Sequence, residues 1–205
     1  MLIDLHVHSD ISNCSRLSIE DILANGRALG LDGVCVTDHD SMEILSQIKE
    51  GFQPDGLLVL AGMEYTTPQG DFLVFGPVEP LAGGGRMDAD RLMFEVRRLG
   101  GAVVAAHPFR EWRPSDASFI SPPLCTAVET LNGRNQDEEN RQAAELALSR
   151  GLTAVAGSDA HCLEEFARFP TRFHAPVANR AGLVAALKAG LCEPAAHLAP
   201  LRRAG

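Results

Sequence analysis

Seven histidines are scattered along the chain, and five of them fall in short polar clusters with acidic neighbours or counterparts. His6 and His8 stand two apart, followed by Asp38-His39-Asp40, Glu64, His107 and Asp159-Ala160-His161. Side chains two apart on an extended segment point to one face, so His6 and His8 can grip one ion, and Asp159 and His161 repeat the spacing. A carboxylate such as Glu64 can bridge two cations. A pocket gathering Asp38, Glu64 and Asp159 would hold uncompensated negative charge, which divalent cations remove. The five cysteines form no C-x-x-C pair, so a Cys-rich structural zinc site is not expected. Mixed imidazole and carboxylate donors suit manganese, iron or catalytic zinc. Glu129 reads as a group that supports a ligand. Cys14 and Cys162 read as bystanders, and His174 and His197 lie outside the pattern.

Such distant residues can meet only if the fold carries them to one place. Nearly every cluster ends or follows a short apolar run: Leu2–Val7, Val34–Thr37, Leu57–Ala61, Ala102–Ala106, Ala127–Thr130 and Thr153–Ala156. These runs, with Phe72–Phe75, are predicted strands. Helices are predicted between them: one capped by Ser18 and closed by Gly30, then Asp90–Leu99, Asp137–Ser149 and, behind the cap Asn179, Ala181–Lys188. Continuous apolar strands imply cover on both faces, hence a parallel α/β architecture, whether open sheet or closed barrel. In either form the C-terminal strand ends converge on one face, where active sites lie. Ala82–Gly85 and Arg113–Pro123 read as loops. The chain reads as a single domain, 1–205, with the tail Leu198–Gly205 expected to fray.

Composition narrows the function. With 205 residues, 45% of them hydrophobic, the chain can build a full core. A net charge of -9 argues against coating nucleic acid, and 5% aromatic content with one Trp argues against a base-stacking platform. The odd, dispersed cysteines fit a reducing compartment. No basic segment followed by an apolar stretch opens the chain, and no apolar run approaches a membrane span of about 18 residues, so a cytoplasmic location is expected.

Five ordered motifs, Asp4-Leu5-His6-Val7-His8-Ser9, Thr37-Asp38-His39-Asp40, Gly62-Met63-Glu64, His107-Pro108 and Gly157-Ser158-Asp159-Ala160-His161, resemble those of the PHP (polymerase and histidinol phosphatase) domain family. The resemblance implies a distorted (β/α)7 TIM-like barrel holding two or three divalent ions (Mn, Fe or Zn) and hydrolysing a phosphate ester with a metal-activated water. The substrate would be a nucleotide, a short oligonucleotide or a small phosphorylated metabolite. The segments 64–67 and 72–76 are most similar to the branch acting on nucleotides and short oligonucleotides. By resemblance, His6, His8, Glu64 and Asp159 hold the first ion. Glu64 bridges to a second held by His107, and His39 and His161 hold a further one. Two departures bear on that third ion: Asn13 replaces an Asp or His, and Phe75-Gly76-Pro77 lacks a His. Arg110 and Arg134 are the expected phosphate-binding residues, and His161 or Asp38 the expected proton-transfer group. Loops 83–88 and 113–123 are expected to shape the pocket. Two other classes remain: an amidohydrolase, disfavoured because no Lys stands at a mid-barrel strand end, and a catalytically weak metal-binding module acting as a partner domain.

Overall fold

The computed structural model describes residues 1–83 and 87–195. The expected fraying of 198–205, His197, and parts of the loops 82–85 and 83–88 lie outside the described residues. The chain opens with β1 (Leu2–Val7), α1 (Ile19–Asn25), β2 (Gly33–Val36), a single turn α2 (Ile44–Gln47), β3 (Gly51–Phe52) and β4 (Leu58–Ala61). It continues with β5 (Met63–Thr67), β6 (Gly70–Phe75), α3 (Ala89–Arg98), β7 (Ala102–Ala105), β8 (Ala127–Asn132) and α4 (Asp137–Arg150). It ends with β9 (Thr153–Gly157), β10 (Thr171–Phe173), α5 (Arg180–Lys188) and β11 (Cys192–Pro194).

The fold is mixed α/β. One sheet has the order β11-β10-β1-β2-β4-β3 and the other β5-β6-β7-β8-β9. The two sheets are connected where β4 runs through Gly62 into β5, and where the His8 amide donates to the Ala160 carbonyl at 2.9 Å, beyond β9. The named strands do not form one closed barrel ladder. The expectation of a parallel architecture holds only in part. β1, β2 and β4 are parallel, as are β7, β8 and β9, but β5, β6 and β7 pair antiparallel. A tight turn at residues 68–69 returns β5 directly into β6, with Gly70 at φ 134°, a backbone state that glycine alone adopts cheaply. That hairpin leaves no chain for a crossover helix.

Cover on both faces holds. Alternate residues enter two apolar clusters: Leu58, Leu60, Leu73 and Phe75 pack with Leu183 and Leu187 of α5, while Val59, Phe72 and Val74 face the other way with Leu92 and Val96 of α3. Helix ends follow local chemistry. The Ser18 side chain accepts from the Asp21 amide at 3.1 Å, Asn179 caps α5, and Gly151 closes α4 in the left-handed region at φ 62°. α1 stops at Asn25, short of the predicted end at Gly30.

Candidate metal centre

The parallel strands aim their C-terminal ends at one cavity of about 230 Å³, lined in part by His39, Glu64, His107, Arg110, Asp159 and His161. A larger cavity, about 460 Å³, lined in part by Val103, Cys125, Thr126 and Thr153, opens at the starts of β7–β9 and holds none of these donors. At the centre four donor atoms face one another. His6 Nε2 lies 3.1 Å from His8 Nε2, 3.3 Å from Glu64 Oε2 and 3.5 Å from Asp159 Oδ1. His8 Nε2 lies 3.1 Å from Glu64 Oε2 and 3.4 Å from Asp159 Oδ1. These are five edges of a tetrahedron, and a regular one of that size has its centre about 2 Å from each corner, the length of a zinc–nitrogen or zinc–oxygen bond. The donors therefore fit a divalent cation. On the other side Glu64 Oε1 is 2.9 Å from His107 Nε2, with Asp71 of β6 completing a second group, while His8, His39 and His161 form a third.

The electrostatics point the same way. Burial would push the His6 imidazole down, but Asp159, Glu129 and Glu64 outweigh it and hold it well above its ordinary range; Asp159 and Glu64 likewise raise His8. Burial would raise Glu64 and Asp159, but the surrounding imidazoles, His6 foremost, hold both well below the usual carboxylate range. Protons on the imidazoles thus stand where a cation would. His8 Nδ1 and His107 Nδ1 are buried with no hydrogen-bond partner. His161 behaves oppositely: burial, aided by His8, lowers it to about 4, so its ring is neutral near pH 7.

The shell around these donors is built of hydrogen bonds. Glu129 Oε1 meets His6 Nδ1 at 2.9 Å, and Oε2 accepts from the His107 amide and Asn132 Nδ2, each at 2.9 Å. A carboxylate behind an imidazole fixes its tautomer and aim. Gly157 is required beside it, because a Cβ there would run into Glu129 Oε1 and His6 Cβ. Asp40, His107 and Asp159 all hold positive φ, at 50°, 29° and 52°, uncommon for residues with side chains and concentrated here in the motif segments.

The structure places four further residues singled out by the sequence. Asp38 is buried outside the donor cluster: Oδ1 accepts from the Ser9 amide (2.8 Å) and Ser12 Oγ (2.6 Å), and Oδ2 from Ser9 Oγ (2.7 Å). Three hydrogen bonds tie it to Ser9 and Ser12, so it anchors the loop after β1. Arg110 is buried, and its Nη2 donates to Asp159 Oδ2 at 2.6 Å and Asn132 Oδ1 at 2.8 Å, while Nε donates to Asn135. It grips the donor residue Asp159 from within the cavity lining. Asn13 is exposed. Arg134 does sit at the mouth, with Nη1 3.0 Å from His161 Nδ1. That nitrogen is also 2.8 Å from the Asp159 carbonyl. A guanidinium only donates and a carbonyl only accepts, so a neutral ring serves one of them at a time. Asp71 and its bidentate partner Arg113, at 2.9 Å to each oxygen, escape the sequence reading because β6 runs antiparallel and brings its start to this face.

The chain is similar to known proteins in sequence and in fold. The sequence model of the PHP domain matches residues 4–103, and that of the PHP-associated family matches residues 137–192. Similar solved structures include PsfC from Pseudomonas syringae PB-5123, with a TM-score of 0.77 at 20% identity, covering 95% of this chain and 91% of that one. A two-domain protein of Bacteroides vulgatus containing a predicted PHP-like metal-dependent phosphoesterase gives 0.68 at 17% identity, covering 96% of this chain and 65% of that one. The lesion-specific endonuclease of Pyrococcus furiosus gives 0.71 at 19% identity, over 94% and 57%. At these identities the likeness is one of fold.

Proposed function

The chain belongs to the PHP domain family, and from that membership together with the donor cluster we propose that it is a metal-dependent phosphoesterase. The observation that carries the reading is the cage of His6, His8, Glu64 and Asp159, whose edges suit a divalent ion. These four would hold the first ion, and Glu64 would share a second with His107. A third, at His39 and His161, would be weakly held, since the nearby Glu64 oxygen, 3.1 Å from His39 Nδ1, already serves the first ion and Asn13 is exposed. Manganese, iron or zinc would serve; such ions polarise phosphoryl oxygens and lower the pKa of water. The two sheets, taken together, suit a distorted (β/α)7 barrel interrupted at its ladders.

The chain's own groups have separable parts. Glu129 aims His6, and Arg110 holds Asp159 Oδ2 so that Oδ1 faces the two histidines. His161, lying at the cavity mouth, is the chain's candidate for proton transfer when it does not hold the third ion. Arg134, whose Nε lies 3.9 Å from Glu165 Oε1, can turn its Nη1 to a phosphoryl oxygen when His161 donates instead to the Asp159 carbonyl. The substrate is a phosphorylated small molecule or short nucleotide. The test is hydrolysis of an aryl phosphate with added manganese, together with metal analysis. His8→Ala and Asp159→Ala should each abolish turnover and lower bound metal while far-UV circular dichroism stays native. Near wild-type turnover in either folded variant would sink the reading.

A further inference from the structure

We propose that Trp112 is the seat for one aromatic base, so that the ester taken by this site is a nucleotide or a nucleotide-bearing chain end. The proposal rests on the phosphoesterase reading and narrows it. The cavity of about 230 Å³ is below the usual 300–1,000 Å³ of small-molecule sites, so it suits a phosphoryl group and little more. The rest of an ester must lie across the mouth. At that mouth stands Trp112, 74% exposed though it belongs to the cavity lining. No packing need accounts for it, since an indole left in water contributes little to a core.

The indole is nevertheless held. Arg110 Cζ lies 5.1 Å from the ring centroid, and that guanidinium is fixed by Asp159, Asn132 and Asn135. A cation of this kind anchors one end of a cation–π contact at little further entropic cost. Arg113 and Arg134 line the same cavity. A flat aromatic surface beside guanidinium groups is the chemistry that stacks a base and attracts its phosphate. The low aromatic content still excludes a platform for many successive bases; a seat for one needs a single ring.

Trp112 is the chain's only tryptophan, so its emission reports this seat alone. The metal-loaded protein is titrated with adenosine 5′-monophosphate, and separately with ribose 5-phosphate and inorganic phosphate. The expected result is saturable quenching by the nucleotide only. Trp112→Leu should raise KM for the nucleotide about ten- to a hundredfold, the range of one base–aromatic stack, and leave ribose 5-phosphate within about twofold. Trp112→Phe, which keeps a ring, should restore most of the loss. Unchanged emission with the nucleotide, or equal effects of Trp112→Leu on both esters, would overturn the proposal. Quenching by the nucleotide with neither ester hydrolysed would uphold the seat and defeat the phosphoesterase reading.

Discussion

The two arginines predicted from sequence as a pair do different work. Arg134 is 40% exposed at its side chain and touches a neutral imidazole, so little folding energy rests on it. Arg134→Ala should raise KM for a phosphate ester about ten- to a hundredfold, matching roughly 1.5–3 kcal/mol for a charge-assisted bond, with an unchanged urea midpoint. Arg110→Met should do the reverse in chelator-treated protein: removing one member of a buried pair costs about 3–5 kcal/mol, and saturating manganese should recover part of it by compensating Asp159. Urea titrations of both variants, with and without metal, separate the roles. The donors were legible because His6, His8, Glu64, His107 and Asp159 sit next to apolar runs, where residue type and position agree. The commitments of Asp38 and Arg110 were not, because a motif shows which atoms are available and not which are already engaged by Ser9, Ser12 or Asn132.

Elements carry those residues, and the end of β9 shows how narrow the tolerance is. Gly157 lies against the His6–Glu129 pair. Gly157→Ala would force the carboxylate or the imidazole aside. It should lower metal affinity by at least tenfold in a chelator competition and reduce stability by about 1–3 kcal/mol, the cost of overpacking. Unchanged affinity would show that the strand end can yield. The parallel strands and helices α3, α4 and α5 were legible from apolar runs and caps. β5, β10 and β11 were not: β5 carries Glu64, Thr66 and Thr67 among its five residues, and the other two are three residues long and gain their order from pairing with β1 and each other. Among the described residues no helix is long and apolar enough to cross a membrane.

At the scale of the molecule, protons and metal compete for one cluster, and the sign of the pH dependence follows. His6 and His8 titrate above their ordinary 6.5 in the folded chain, so the stability they contribute is complete below 6.5 and lost as pH rises through their folded values. Chelator-treated protein should therefore lose thermal stability as pH rises above 6.5. Metal-loaded protein should lose much less, because an ion then compensates Glu64 and Asp159. Parallel melting curves in the two states would expose the error if this reading is wrong. The left-handed backbone at Asp40, His107 and Asp159 sets the site against the chain that carries it. Each holds a conformation in which glycine is relaxed and a larger residue is not, a cost of order 1–3 kcal/mol apiece. Replacing His107 by glycine would discard a donor and ease the chain in one step. Exchange of such a residue for glycine would be downhill in folding free energy at that position, so the geometry of the site stands against the preference of the backbone.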